Sequence, residues 1–474
     1  MTDPALTPRR DLTLAPATSI VVGIAIGTGV FLKSAAMAQA VATPLAVLAA
    51  WAVAGVLALL ASLCFAELGT LLPEAGGEYV YLRAAYGEIP AFLYACNSYV
   101  LGGASVAAYG AAVAIFIADI QPLAGDWWSL DVPLPGGSVQ HLGFGPRQLI
   151  AVAVIGAFAA VNCAGVALGG RVQTLLTFTK LAAILGVAAG VFLCSGVHGA
   201  GHLAEQGASR GGAAGFGAAV FAALWAYSGW QYVSMAASEV REPQRTLPLA
   251  IIGGTLLVLL VYLLINGAYL WALPYADVAS ANSTAYPHAP SVAARAVATF
   301  LGTRALAVAA LIFLISTIGS LNGVILTRAR VAYAAARDHL FFGAFGRLSP
   351  RSRVPVRAVL LLCAWGALLA VTGSFDQLTN MAVMSYALFW IPVNLAVLVL
   401  RRRMPEAARP FRAPGYPWLP LLVALVMLWI VISAFLTAPH ESVATVLLIL
   451  LGFVLYPRFR RERARLTATR APRA

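Results

Sequence analysis

An all-α polytopic membrane protein is the fold class this sequence predicts, and three observations carry it. The 474 residues are 61% hydrophobic and 10% charged, with a mean hydropathy of +0.85. A water-soluble domain fills its core with far fewer apolar residues, so the excess belongs in lipid. Stretches such as 246–276 and 305–327 carry no charged residue, and each exceeds the roughly 20 residues that cross a bilayer as a helix. Lipid offers backbone groups no hydrogen bonds, so such spans are helices; barrel strands would need an alternating pattern. The third observation is where the charge falls. Most of the 31 Lys and Arg lie in the termini and alternate loops, as in cytoplasmic segments. Arg147, Arg210, Arg295 and Arg304 are the basic residues of the opposite loops. A net charge of +13 placed this way speaks for a lipid partner and against nucleic acid.

Taken in order, the spans run near 15–41, 44–71, 89–118, 147–164, 169–195, 214–239, 246–272, 303–335, 356–373, 376–400, 416–438 and 441–457. The placement of the basic residues puts both termini in the cytoplasm of a multi-pass cell-membrane protein, which an even count of twelve spans allows. Residues 1–14 form a short cytoplasmic tail and 458–474 a basic one. Loops carry Gly/Pro punctuation, as in "DVPLPGGS" and "RAPGYPWLP". The segment "PEAGGEYVYLRAAYGEIP" is amphipathic and is expected along the cytoplasmic interface. No cleavable signal peptide is expected. Cys64, Cys96, Cys163, Cys194 and Cys363 fall in or at the ends of spans without CxxC or Cys/His spacing, which favours neither disulfide, metal nor cofactor.

Two spans carry a weak point. The first, "SIVVGIAIGTGVFLKSAAMAQ", holds three glycines, a threonine and a lysine; the sixth, "FAALWAYSGWQYVSMAASEV", places Ser228-Gly229 among bulky aromatics. Small residues also serve close helix packing. Two weak points five spans apart, in opposite orientations, favour a transporter's binding site. A broken helix frees N–H and C=O groups at bilayer depth, tolerable where they face a ligand or cavity. The half-helix starting near Gly27-Thr28-Gly29 suits a carboxylate, and the break near Trp225 to Ser228 offers carbonyls to an ammonium. Together they describe an α-amino acid.

Lys180 stands alone in an apolar span. A lysine there faces a cavity or partner, or snorkels to the interface; exposed carbonyls of the first break, Ser316 and Ser320 are candidate partners. Lys33 reads more simply as snorkelling outward. No Asp or Glu lies in the middle of the first, third, sixth, eighth or tenth span, so neutral amino acids are favoured over cationic ones. Glu67 and Glu239 fall at cytoplasmic helix ends, where capping and loop salt bridges account for them. Asn97, Tyr109, Asn322, Tyr386 and Asn394 are candidate polar lining or helix–helix hydrogen bonds. No pore signature suggests a channel, and the six histidines lie outside the spans and form no enzyme-like set.

"GIAIGTGVF" resembles the first-span motif of the amino acid–polyamine–organocation family. "LWAYSGWQYVSMAASEVREPQRTLPLAI", "STIGSLNGVILTRARVAYAAARDH" and "RPFRAPGYPWLP" are similar to its L-type amino-acid transporter branch at the sixth span, the eighth span and before the eleventh. The resemblance implies a LeuT-type fold: inverted five-helix repeats over 15–195 and 214–402, with first and sixth helices broken, then two helices over 415–457. It implies a substrate site at Ala25, Ile26, Gly27, Thr28 and Gly29, whose amides take the carboxylate. Leu224, Trp225, Ala226, Tyr227 and Ser228 take the amino group, with Trp225 as the aromatic gate. Lys180, with Ser316 and Ser320, stands where sodium-coupled relatives hold a cation between the first and eighth spans. Residues 118–146 contain no cysteine, so no disulfide-linked heavy chain is expected. The expected function is secondary-active, sodium-independent exchange of neutral amino acids. Uniport, proton symport and a non-transporting sensor are the alternatives.

Overall fold

The computed structural model describes residues 7–121, 123–133, 139–194, 199–207, 211–283, 285–286, 289–372, 375–437 and 439–470. The first expected span is two helices, α1 (Leu14–Ala25) and α2 (Gly29–Ala40), joined by a three-residue break. Helix α3 (Pro44–Leu71) follows, its first turn fixed by Pro44 and by the Thr43 hydroxyl accepting the Ala46 amide at 3.1 Å. Next come α4 (Glu78–Tyr86) and α5 (Glu88–Ile120). A two-stranded antiparallel hairpin, β1 (Trp128–Pro133) and β2 (Val139–Phe144), pairs Trp128 with Phe144 and is a small departure from the all-α expectation. Helices α6 (Pro146–Ala164) and α7 (Val166–Cys194) meet at Gly165, whose φ of 153° permits the sharp turn.

After the short α8 (Ala200–Leu203), the sixth span consists of α9 (Gly212–Tyr227), the one-turn α10 (Tyr232–Met235) and a 3₁₀ turn at Ala237–Glu239. The seventh is α11 (Pro243–Pro248) continuing through a π turn at Leu249–Gly253 into α12 (Gly254–Ala272). Short helices α13 (Tyr275–Ala279) and α14 (Val292–Leu301) precede α15 (Ala305–Arg337), the eighth span. Helices α16 (Val356–Thr372), α17 (Phe375–Arg403), α18 (Trp418–Thr437) and α19 (Pro439–Arg470) complete the chain.

Among the described residues, ten helical segments are long and apolar enough to cross a membrane. Gly212–Leu224 and Val356–Val371 are shorter and fall at the sixth and ninth expected spans, so the count of twelve rests on these two. Packing is inverted relative to a soluble protein. Leu175, Phe178 and Leu185 on α7 are exposed at 68%, 62% and 47%, whereas Lys180 on the same helix is fully buried. Large apolar side chains ring the outside, and the polar ones are drawn into the middle. Helices α5 and α15 run along each other through the centre. Both chain ends lie on one face. Leu12 bridges to Val240, with its amide on the Glu239 carbonyl at 3.0 Å, and Phe459 of α19 stacks on Phe341 just beyond α15.

The segment expected at the interface sits deeper than its amphipathic pattern suggested. Glu78, Tyr79, Val80, Tyr81, Leu82 and Ala85 of α4 are buried. The helix is held from its polar side: Tyr79 donates to Asp338 at 2.7 Å and Arg83 pairs with the same carboxylate.

Candidate functional site

The first break follows from where the helical ladder stops. Ile26 (φ −74°, ψ 76°) leaves the helical region, and the Gly27 amide turns back to the Ala25 carbonyl at 2.7 Å. Helix α2 restarts at Gly29, so the amides of Thr28 and Gly29 stand where no intrahelical acceptor exists. The last turn of α1 likewise frees its carbonyls, and each meets a side-chain donor. Gly23 accepts from Lys180 Nζ at 2.8 Å and Ser320 Oγ at 3.1 Å. Ile24 accepts from Ser320 at 3.2 Å, and Ala25 from the Tyr262 hydroxyl at 2.6 Å. Ile26 accepts from Lys180 and from Ser316 Oγ, both at 2.7 Å.

Lys180 does not snorkel. Its third bond goes to the Ser316 carbonyl at 2.7 Å, so all three N–H groups of an ammonium are spent on carbonyl oxygens. Gly319 leaves the space it occupies: a Cβ there would sit 2.9 Å from Nζ. The seam below is also polar. Gln173 and Thr177 donate to the Ser19 carbonyl at 3.1 and 3.0 Å. Asn322 donates to Gln173 at 2.9 Å and to the Gly169 carbonyl at 3.2 Å, and accepts from Asn162 at 3.0 Å. Asn322 is therefore a helix–helix tie, whereas Asn394 donates to the Trp390 carbonyl of its own helix at 2.7 Å.

The second break begins after Tyr227. Gln231 closes the turn by accepting the Gly229 amide and donating to Ser228 Oγ, each at 3.1 Å. The breaks meet face to face. A Cβ on Gly29 would lie 2.6 Å from Ala226 Cβ, and one on Gly229 would lie 2.5 Å from the Ala25 nitrogen. Only glycine permits this approach of backbone to backbone. Tyr262 of α12 locks the junction, since the hydroxyl on the Ala25 carbonyl also reaches the Ala226 carbonyl at 2.9 Å.

The expected site residues thus fall into two groups. Ala25, Gly29 and Ala226 meet at the junction of the breaks, where Gly229 joins them although it was not among the expected site residues. Ile26, Lys180, Ser316 and Ser320 meet where α1, α7 and α15 converge. Gly27 lies between them, its Cβ position 2.9 Å from Ser320 Oγ and 3.4 Å from the Tyr109 ring. Thr28, Leu224 and Ser228 are buried close by in the chain. Tyr227 instead points its hydroxyl to the Trp51 carbonyl at 3.0 Å. Trp225 belongs to α9, and its side chain lies outside the described set. Lys33 is half-buried on α2. Tyr262 was missed; a tyrosine in the aliphatic run "LLVLLVYLLIN" gives no periodic signal.

On the face holding the chain ends, two arginines of the eighth span are internal. Arg330 grips Glu239 through bonds of 3.1–3.3 Å, both side chains 2% exposed. Arg328 is buried in α15 and donates to the Ser98 carbonyl at 3.0 Å, the Tyr232 hydroxyl at 3.1 Å and the Tyr386 hydroxyl at 2.8 Å. The run "TRARVAYAAARD" is dense in charge, and it continues the helix with partners for both guanidinium groups. Glu67 is paired as expected, by Arg401 at 2.6 Å and Arg409 at 3.6 Å. Among the described residues no cluster could hold a metal ion, and the five cysteines are unpaired.

Comparison with known proteins meets this geometry. The family described as "Amino acid permease" matches residues 12–456. The chain is 30% identical over 459 residues to the human (Homo sapiens) b(0,+)-type amino acid transporter 1, covering 94% of this chain and 87% of that one. It is 29% identical over 458 residues to the serine/threonine exchanger SteT of Bacillus subtilis (strain 168), covering 96% and 98%. It is 28% identical over 462 residues to the human cystine/glutamate transporter, covering 94% and 85%. These relatives are transporters rather than enzymes. With a broken first helix, a broken sixth helix and a match along nearly its whole length, the chain belongs to the amino acid permease family of the amino acid–polyamine–organocation group.

Proposed function

We propose that this permease exchanges neutral amino acids across the cell membrane by alternating access, without sodium. The observation that carries the reading is the Lys180 ammonium on the Gly23, Ile26 and Ser316 carbonyls. A sodium ion held between the first and eighth spans would need those oxygens, and Lys180, Ser316 and Ser320 already occupy them with N–H and O–H donors. The opposed breaks supply the substrate's two poles: amides at Thr28 and Gly29 for the carboxylate, and carbonyls around Leu224 to Tyr227 for the ammonium. The Ala25 and Ala226 carbonyls accept from Tyr262, so a substrate ammonium shares or displaces that hydroxyl. Trp225 is proposed as the gate. Residues 15–195 and 214–402 act as inverted repeats, and the first, second, sixth and seventh spans rock against the others. Positive-inside charge supports a cytoplasmic location for both termini. The serine/threonine exchanger among the relatives, aligned over 98% of its length, supports exchange of small neutral substrates.

Uptake of labelled alanine, serine and leucine into sodium-free proteoliposomes tests this. Uptake that needs unlabelled amino acid inside the vesicles is the expected result. Accumulation in empty vesicles under a pH gradient, or once sodium is added outside, would replace exchange with symport. Binding without any flux would leave a sensor.

A further inference from the structure

A small polar cavity lies between the second break and the face that holds the chain ends. Glu78, Tyr94, Asn97, Gln231, Arg328, Ser385 and Tyr386 supply its polar lining; its volume accommodates about one water molecule. Arg328 crosses from α15 to α5, α10 and α17 through Ser98, Tyr232 and Tyr386, and stacks 5.1 and 5.2 Å from the two tyrosine rings. Three buried atoms on this lining have no hydrogen-bond partner among the described residues: Glu78 Oε2, Asn97 Oδ1 and Arg328 Nε. Two are acceptors and one a donor. Water can donate to acceptors of this kind and accept from such a donor. Glu78 and Arg328 lie across this space without a direct ion pair, an arrangement that poises the carboxyl between charge states.

We propose that Glu78 is a proton-binding site coupled to closure of this face of the permease, protonated when the face is closed and releasing its proton to solvent when it opens. The inference rests on the alternating-access reading, under which the sixth span moves against α5, α15 and α17. Opening separates Tyr232 from Arg328 and Tyr386 and admits water to Glu78.

The electrostatics agree in sign. In the closed structure burial raises the Glu78 carboxyl from an ordinary 4.5 to about 7, while its own backbone hydrogen bond, the Arg328 charge and a bond with Tyr94 pull it back down. The groups facing it are Tyr94 from α5, Arg328 from α15, Tyr386 from α17 and Tyr81 from its own helix. Asp338 engages α4 through Tyr79 and Arg83. Hydration on opening returns Glu78 toward 4.5, so the closed form binds the proton more tightly. Protonation therefore favours closure. Raising the pH from about 4.5 to about 7 eases opening, by up to tenfold per unit, and above that range the effect is flat.

Two readouts test the site. In nanodiscs, infrared difference spectra of the wild type should show a protonated-carboxyl band that persists to near neutral pH and is absent in Glu78→Gln. Arg328→Gln should move its midpoint upward, which keeps the test available if Glu78→Gln fails to fold. In proteoliposomes, exchange should rise with the pH on the arginine-rich side, and Glu78→Gln should flatten the profile. A band that titrates in the ordinary carboxylate range, or an unchanged pH profile in Glu78→Gln, overturns the proposal. A near-neutral band in a protein without flux would support the proton site and defeat the exchange reading.

Discussion

At Lys180 a single side chain replaces what would otherwise be several unmet bonds. Its ammonium serves three carbonyls freed by, or facing, the broken first helix. Lys180→Met keeps the volume but strands the Gly23, Ile26 and Ser316 oxygens with fewer donors. Each unmet group costs about 1–3 kcal/mol when buried. We expect Lys180→Met to lower the melting temperature in detergent and to cut exchange at least tenfold. Sodium should not rescue it, because Ser316 and Ser320 still donate to the same carbonyls. Exchange at the wild-type rate in this variant would remove Lys180 from the mechanism. The lysine was conspicuous in the sequence because its charge is rare at that depth. Its partners were only partly legible: the first-break carbonyls and Ser316 were foreseen, Ser320 donates to the Gly23 and Ile24 carbonyls instead of meeting the ammonium, and Tyr262, the corresponding clamp on the Ala25 and Ala226 carbonyls, was invisible among aliphatic neighbours.

Among the elements, the two broken spans depend on each other through glycine. Gly29→Val should push α2 away from Ala226, since even its Cβ would stand 2.6 Å from that side chain. Exchange should fall by tenfold or more with the protein still inserted in the membrane. Gly267→Ala in α12, where an added Cβ meets nothing within 4 Å, should leave exchange near normal. Equal effects of the two, measured as exchange per folded transporter, would mean that the breaks do not act as a pair. The eighth span contributes a different tie. Glu239→Gln or Arg330→Met alone leaves a buried charge without its partner, a loss of about 3–5 kcal/mol. The double variant Glu239→Gln with Arg330→Met should be less damaging than either single change in a thermal melt. Sequence patterning located these spans well, because a run without charge is its own evidence for lipid. It did not show what Arg328 and Arg330 bind, because patterning reports the density of charge and not the partners that let a charge enter a helix bundle.

For the whole molecule, one face gathers the N-terminal segment, the start of α5 and the end of α19, where Arg463 pairs with Glu88. The positive-inside reading turns this face to the cytoplasm. Cys194, exposed at the far end of α7 from Arg171, should then react with a membrane-impermeant maleimide added outside intact cells, in a variant with the other four cysteines replaced. Labelling only after the cells are opened would reverse the topology.

The sequence by itself determined the helical class, the approximate spans, the two weak points and the family, since each is written in local composition or in contiguous motifs. Tertiary structure decided the rest: which carbonyls Lys180 takes, that Gly29 and Gly229 press against the opposite break, that Tyr262 joins them, and that Glu78 and Arg328 share a buried cavity. These depend on residues up to 250 positions apart in the chain, Glu78 and Arg328 among them. A buried polar atom must find its partner wherever the packing brings one, and no pattern along the chain records which one that will be.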